Sequence, residues 1–263
     1  MIERVFLPFP EKEPRNLART YGVSKFSYRA HADAGRSQDN FAFAMGHKEL
    51  IDGYWHVFID VLKFWNAEHF KKQEDGLQVI DYTEVLAWFQ EEFKRFNVDR
   101  FTMDQWNSGL FIDTINKDIR SGKTFNRAMI CKVDDHTGKE NQIRWNRFKT
   151  ACTQGWVHAP KLDDEVPGMP PGSLLENELK FLVEKNGKVT NSPNQRFSHY
   201  DQADCVSTVV SDLLGKQVDA FEDGSLSAVV GAARGGMPSN GVDAQWKAMQ
   251  RSGDEMMRQL GYM

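Results

Sequence analysis

The sequence has few of the residues that form disulfide bonds, cysteine-ligated metal sites or membrane-spanning segments. Its 263 residues contain three cysteines, widely spaced and without a Cys-X-X-Cys pair, which excludes a disulfide framework and a cysteine zinc site. No apolar run approaches the roughly 18 residues of a membrane span. Residues 1–15 carry Glu, Lys and Pro where a signal peptide needs an apolar segment. We therefore expect a protein of a reducing cytoplasm with no membrane partner.

A large charge excess of one sign is also missing. The 33 Lys and Arg residues stand against 37 Asp and Glu residues, a formal net charge of -4. This balance excludes a uniformly basic nucleic-acid coat, but it admits a nuclease whose acidic residues hold metal. Hydrophobic residues make up 40% and charged residues 27%, which excludes wholesale disorder. The length suits one large domain with its own core.

The hydrophobic pattern predicts an α/β fold. After a proline-containing, extended lead-in over residues 1–25, alternating and aromatic-rich runs predict an antiparallel meander of three strands. Helical spacing then alternates with two further strands. The predicted strands cover residues 26–32, 40–47, 54–65, 99–105 and 125–133, and the predicted helices cover residues 81–96, 108–120, 142–153, 171–184 and 201–214. Together they predict a mixed five-stranded sheet flanked by helices, in which the last two strands are parallel.

The composition shifts after Gly215. Residues 216–263 are rich in Gly, Ser, Ala and Met, which predicts a flexible C-terminal tail with one short helix over residues 242–260. The folded domain is then predicted over residues 26–215.

Four acidic residues stand where a site would form. Asp33 closes the first predicted strand, Asp104 closes the fourth, and Asp201 and Asp204 open the last helix, three residues apart and so on one face. In open α/β sheets, ligands bind outside the carboxyl ends of the strands. If the first and fourth strands are neighbours, Asp33 and Asp104 project side by side.

Each of these residues also has a simpler interpretation as a turn former, a helix cap or a partner of the helix dipole. A cluster of them, however, needs a counter-charge, since two unit charges ~4 Å apart repel by about 4 kcal/mol at an effective dielectric constant near 20. Oxygen-only ligation suits Mg²⁺ or Mn²⁺, and one or two such ions would activate a water for attack on a phosphodiester.

The ordered set of motifs resembles the nuclease domain of tailed-phage terminase large subunits. That family has an RNase H-like, RuvC-related fold and cuts concatemeric DNA during genome packaging. Residues 30–47 (AHADAGRSQDNFAFAMGH), with Asp33 and then Gly35 and Asp39, resemble its opening hairpin. Asp104 matches the second acidic position, and the third is matched by Asp201, by Asp204 or by both. The similarity covers about residues 26–215.

The resemblance implies a metal-dependent endodeoxyribonuclease. Its Mg²⁺ or Mn²⁺ ligands would come from Asp33, Asp104, Asp201 and Asp204, and hydrolysis would leave a 5′-phosphate and a 3′-hydroxyl. Implied partners are double-stranded DNA, a terminase ATPase domain or subunit, a small terminase subunit and a portal protein, in the host cell cytoplasm.

The family's packaging ATPase is not evident in this sequence. Ser-Gly-Lys-Thr at 121–124 has Lys117 where a P-loop needs its first glycine, and it follows a predicted helix rather than a strand. We therefore expect either an isolated nuclease domain of a larger motor protein or the product of a split gene.

A basic segment is the predicted DNA contact. Residues 117–150 hold nine Lys or Arg residues against four acids, a local excess of five, and a merely solvated helix is the alternative interpretation. The candidate DNA-binding residues are Lys123, Arg127, Arg144, Arg147 and Lys149. His199, beside the acidic pair, is a candidate accessory residue for metal or phosphate, with a surface histidine as the simpler interpretation.

Two other functions remain open at this stage. One is a RuvC-like resolvase or transposase-type nuclease that acts on branched or ended DNA. The other is a non-catalytic assembly module that docks on a portal.

Overall fold

The computed structural model describes residues 5–6, 18–35, 40–70, 78–105, 108–134, 138–162, 173–185, 188–191 and 200–226. The predicted helix over 242–260, Asp39 and His199 lie outside these residues. The chain divides into two compact units, residues 1–50 with 55–215 and residues 51–54 with 216–263. The candidate site belongs entirely to the first unit.

Strands and helices alternate along the chain. The strands are β1 (Tyr28–Asp33), β2 (Phe41–Ile51), β3 (Tyr54–Trp65), β4 (Val98–Asp104), β5 (Ile130–Asp134), β6 (Val157–His158), β7 (Leu182–Lys185) and β8 (Lys188–Asn191). The α-helices are α1 (Tyr82–Arg95), α2 (Gly109–Ser121), α3 (Gly138–Thr153), α4 (Leu174–Phe181) and α5 (Asp201–Glu222). A short 3₁₀ helix spans Ala67–His69.

The main sheet is mixed. Among the described residues, six strands follow the order β5-β4-β1-β2-β3-β6, and β7 pairs with β8 in a separate hairpin. β1 runs antiparallel to β2 but parallel to β4, which is in turn parallel to β5. β2 and β3 are joined by the two-residue turn of Asp52 and Gly53, whose φ angles of 51 and 91 suit a tight hairpin. The carboxyl ends of β1, β4 and β5 therefore meet at one edge of the sheet.

The predicted α/β class is confirmed, with local differences in several strands and helices. The fifth strand, predicted over 125–133, begins only at Ile130. The sheet gains β6, which at two residues is too short to show a periodic pattern. The helix predicted over 171–184 ends at Phe181, and the chain continues as β7 (LVEK), in which Val183 is the one β-branched residue. The last helix continues to Glu222 rather than ending at Leu214.

Gly215 lies inside α5, at a point where the Arg147 side chain of α3 packs closely against the helix backbone. A Cβ at this position would stand 3.0 Å from the Arg147 guanidinium of α3. The glycine therefore permits a close approach of a side chain to the helix backbone, a use of glycine that sequence pattern alone does not distinguish from a helix stop.

An aromatic core fills one face of the sheet. Phe89 of α1 lies at its centre, with ring centroids 5.2 Å from Phe43 and 5.3 Å from Phe101. Along β2, the side chains of Phe41, Phe43 and Met45 belong to this core, as the period-two alternation of a strand requires. This core covers the strands that carry the candidate site and holds them in one register.

Helix α5 runs along the sheet. Near its start, the Asn40 amide donates to Asp201 Oδ2 at 3.1 Å, and near Gly215 the Lys48 ammonium donates to the Leu213 carbonyl at 3.3 Å. Asn40 and Lys48 flank the first seven residues of β2, whose start pairs with Asp33, so the first turn of α5 lies at the same end of the sheet as Asp33.

A buried ionic network lies at β2 and β3. His47 Nδ1 lies 2.5 Å from Asp60 Oδ2, and Arg19 Nε lies 2.7 Å from Asp60 Oδ1. The Asp60 side chain is 1% exposed, and burial raises its pKa despite the His47 and Arg19 partners. The Arg19 amide also donates to the Asp60 carbonyl at 2.7 Å, so the network attaches residues before β1 to the sheet.

Candidate active site

Three parallel strands end in aspartate at the same edge of the sheet. Ala32 of β1 pairs with Met103 of β4, one residue before Asp33 and Asp104. Asp104 in turn pairs with Asp134 of β5. Because neighbouring strands lie about 4.8 Å apart, the three carboxylates form a row.

The first turn of α5 brings the other two acids to this row. Asp201 is held by the amide of Asn40, the residue before β2, and the Cys205 thiol interacts with the backbone of Asp33. The negative charges of Asp201 and Asp204 both act electrostatically on Asp33. We call the five carboxylates the acid cluster: Asp33, Asp104, Asp134, Asp201 and Asp204.

The start of α5 is capped by a side chain from α4. Glu178 Oε2 accepts a hydrogen bond from the Ala203 amide at 2.7 Å. Glu178 is 2% exposed, and its pKa is raised well above the usual value, first by burial and then by the charge of Asp201. A helix leaves its first amides without intrahelical acceptors, so this carboxyl satisfies donors that would otherwise be lost. It thereby fixes the turn that carries two acids of the site.

Arg144 of α3 grips Asp204 through both carboxylate oxygens. Its Nη1 donates to Oδ2 at 2.8 Å and its Nη2 to Oδ1 at 2.5 Å. The guanidinium also donates to Thr208 Oγ1 at 2.5 Å and to Asn141 Oδ1 at 2.7 Å. A two-pronged contact of this kind is among the strongest that an arginine makes.

Burial and acidic neighbours disfavour the charged forms of Asp33 and Asp104. The pKa of Asp33 is raised well above its usual value, first by burial and then by its acidic neighbours, with Arg144 opposing the rise. The pKa of Asp104 is also raised, first by burial, while the Gln105 amide opposes the rise. Charges of this sign in a partly buried site favour a bound cation.

The donor atoms of the acid cluster suit a divalent metal ion, whereas the arrangement of its side chains does not yet form a set of metal ligands. The cluster offers only carboxylate oxygens, the donors that Mg²⁺ and Mn²⁺ prefer, and neighbouring negative charges add to the effect of burial in raising the pKa values of Asp33 and Asp104. Within the part of the chain that the structure describes, however, no three His, Cys, Asp or Glu side chains already converge as metal ligands. The site therefore fits a divalent ion by charge and donor type, and side-chain rotation would have to complete the ligand shell.

The pH dependence of the free energy of unfolding tests whether the buried carboxylates destabilise the folded protein. Because the pKa values of Asp33 and Glu178 are raised in the folded protein, it binds more protons than the unfolded chain above about pH 4. In EDTA, this contribution lowers the free energy of unfolding as pH rises toward neutrality, and Asp33→Asn should flatten that fall. Mn²⁺ should stabilise the wild type more at neutral pH than at about pH 5, since only the ionised carboxylates bind it.

Thermal unfolding across a pH series, with EDTA or Mn²⁺, measures both effects. Equal pH slopes for wild type and Asp33→Asn in EDTA would contradict the electrostatic account.

The structure brings the four predicted acids, Asp33, Asp104, Asp201 and Asp204, into one cluster. Sequence reasoning missed Asp134, although it directly follows the predicted fifth strand and so had the same signal as Asp33. It also missed Glu178, for which a buried tertiary cap leaves no local pattern.

The predicted basic residues separate by exposure. Arg144 is 4% exposed, so it is not part of a DNA-contacting surface, which corrects its sequence assignment. Arg147 is half-buried against Gly215, and Arg127 is exposed. The Lys123 and Lys149 side chains are exposed, near Asp118 and Glu184 respectively.

Comparison with known proteins rests on structure. No protein-family model matches the sequence, and no curated protein matches it. The large terminase nuclease from thermophilic phage G20c with bound magnesium superposes with a TM-score of 0.51 at 14% identity, covering 81% of this chain and 95% of that one. The chain has the fold of a large terminase nuclease domain.

Two further structures agree. The Thermus phage P74-26 large terminase nuclease domain gives a TM-score of 0.50 at 14% identity, covering 82% of this chain and 94% of that one. The G20c nuclease with bound cobalt gives 0.50 at 15% identity, covering 81% and 95%. At such identity the likeness establishes the terminase nuclease fold, which confirms the predicted RNase H-like class and the resemblance on which it was based. Separately, no helix among the described residues has the length and apolar character to cross a bilayer.

Proposed function

We propose that this chain is a divalent-metal-dependent DNA endonuclease that cuts concatemeric viral DNA during genome packaging. The observation that carries the proposal is the convergence of Asp33, Asp104 and the first turn of α5 at one sheet edge, in a fold shared with large terminase nucleases. The bound magnesium and cobalt named for the G20c nuclease support a divalent ion in the same fold.

The chain's own residues supply position and charge. Asp33 and Asp104, fixed at the ends of paired strands, provide oxygen donors at a set spacing. When bound there, a divalent ion supplies Lewis-acid chemistry that lowers the pKa of water and neutralises charge on the phosphodiester. Glu178 and the Asn40 amide hold the first turn of α5 in place against the strands. The products would be a 5′-phosphate and a 3′-hydroxyl.

The DNA contact and the partners extend this proposal. The exposed side chains of Lys123, Arg127 and Lys149 would bind phosphates without reading bases. A terminase ATPase domain or subunit would deliver the duplex, a small terminase subunit and a portal protein would complete the assembly, and the host cytoplasm would be the compartment. His199 stays a candidate accessory residue.

Plasmid cleavage tests the activity. We expect the wild-type chain to nick and linearise supercoiled DNA in Mn²⁺ and in Mg²⁺, to stop in EDTA, and to recover when Mn²⁺ is restored in excess. Cleavage that persists in EDTA would refute metal dependence. Absence of cleavage in every condition would refute nuclease activity for this chain.

Two further arms separate the rival functions. Linear duplex should be cut at least as well as a Holliday junction of equal length, and a strong junction preference would instead indicate a resolvase. Residues 216–222 belong to α5, so truncation after Leu226 is the matched test of a docking tail. The truncated chain should retain cleavage, whereas loss of portal binding alone would show that residues 227–263 serve assembly.

A further inference from the structure

Arg144 is a permanent positive charge placed inside an acidic site. Its side chain is 5% exposed and that of its partner Asp204 is 15% exposed. A guanidinium does not lose its proton in proteins, so this charge is present at every working pH. A side chain this buried cannot reach a phosphate on the protein surface. The charge of Arg144 therefore acts within the acid cluster.

The arginine is fixed before any ligand arrives. Thr208, one turn after Asp204 on α5, accepts from Nη1, and Asn141, three residues earlier on α3, accepts from Nη2. Both oxygens of Asp204 are occupied by the same fork. For Asp204 to coordinate a metal through its remaining lone pairs, the ion would have to lie beside the guanidinium charge of the same fork, which repels it.

The influence of Arg144 extends past its partner. Its charge acts on Asp33 and on Asp104 in the direction opposite to that of the neighbouring carboxylates. Arg144 thus places one permanent positive charge beside the carboxylates, whereas His31, 3.9 Å from Asp134 Oδ2, carries a charge only when it is protonated.

We propose that Arg144 is the built-in counter-cation of this site and that it withholds Asp204 from metal coordination. Asp33, Asp104 and Asp201 are then the carboxylates that a divalent ion contacts, with Asp204 as a positioning residue. The inference rests on the divalent-ion chemistry of the proposed function, and it assigns Asp201 rather than Asp204 as the ligand from α5.

A series of charge variants gives the test, with Mn²⁺ binding to the full chain measured by calorimetry without DNA. The Arg144–Asp204 pair sums to zero in the wild type, to minus one in Arg144→Met, to plus one in Asp204→Asn, and to zero again in the double variant. We expect Mn²⁺ affinity to rise roughly tenfold in Arg144→Met and to fall roughly tenfold in Asp204→Asn, as one added or removed neighbouring charge predicts. The double variant should return to within about threefold of the wild type.

The alternatives predict other patterns. If Asp204 were itself a ligand, both Asp204→Asn and the double variant would lose Mn²⁺ binding. If Arg144 were only a structural contact, Arg144→Met would not bind Mn²⁺ more tightly than the wild type. Either result overturns the inference.

Folding is checked by circular dichroism, and Arg144→Lys gives a second variant if Arg144→Met does not fold. Because it keeps the positive charge but not the fork, its Mn²⁺ affinity should stay near that of the wild type. A tenfold gain in Arg144→Lys would contradict the charge argument.

The outcome is separable from that of the proposed function. If the variants show the expected changes in Mn²⁺ affinity but the wild type does not cut DNA, the proposed nuclease function is refuted and the role of Arg144 as counter-cation is retained. If the wild type cuts DNA but the variants do not show those changes in Mn²⁺ affinity, only the role of Arg144 is refuted. Failure of the wild type to bind Mn²⁺ would overturn the inference.

Discussion

Asp33→Asn is expected to reduce metal-dependent plasmid cleavage about a thousandfold, a loss of about 4 kcal/mol of transition-state stabilisation. Asp33 lies between β4 and the first turn of α5, so it is the carboxylate that connects the strand acids to the helix acids. An amide keeps its size but removes the charge that holds the ion. The same variant should be more stable than the wild type in EDTA at neutral pH, because a disfavoured buried charge is gone.

Asp104→Asn should behave similarly, and β4 itself provides the matched control. Asp99 lies at the opposite end of that strand, where it pairs with Arg29 at 2.6 Å. Asp99→Asn should keep cleavage close to the wild-type rate. Cleavage by folded Asp33→Asn at the wild-type rate would remove Asp33 from the mechanism, and an equal loss in Asp99→Asn would point to a general loss of structure instead.

Asp60→Ala is expected to lower the free energy of unfolding by about 3–5 kcal/mol, because it removes the buried negative charge of an ion-pair network. His47, which is 0% exposed, loses the partner of its Nδ1 and keeps only Glu49 at Nε2, and the Arg19 Nε loses its carboxylate acceptor. Equilibrium unfolding in urea, followed by circular dichroism, measures the change.

The exposed pair of Lys94 and Glu91 on α1 serves as the control, since Lys94→Ala should leave the urea midpoint almost unchanged. The Asp60 network belongs to strands away from the acid cluster, so folded Asp60→Ala should keep its Mn²⁺ affinity. A small loss of stability would mean that water or a side-chain shift compensates His47.

The electrostatics of the cluster connect stability to function. Burial, followed by the neighbouring acids, raises the pKa values of Asp33 and Asp104, and in the absence of a cation this weakens the fold at neutral pH. Glu178 and Arg144 hold them together by two different means, a helix cap and an ion pair. A divalent ion bound in this cluster would raise both the stability and the proposed activity of the protein.

The charge of Arg144 shows where sequence reasoning stopped. Counting basic residues placed it in a DNA-binding surface, although Arg144, Phe148 and Ala151 stand at helical spacing, and the last two are apolar. That spacing indicated that Arg144 lies on the buried face of α3. The structure shows that Arg144 is buried together with Phe148 and Ala151 of the same helix. The acceptor for its charge is Asp204, 60 residues later in the chain.

Local patterns in the sequence predicted most of the strands and helices and several of the residues that end them. Periodicity located β1, β3, β4, α1 and α2, and it placed Asp33 and Asp104 at strand ends, because side-chain alternation and helix caps are local properties. Only the tertiary structure decided that β4 lies beside β1, that β5 adds Asp134, and that Arg144 belongs to Asp204 rather than to DNA. Those choices depend on contacts between residues far apart in the chain, and their energies come from burial and charge that no local pattern records.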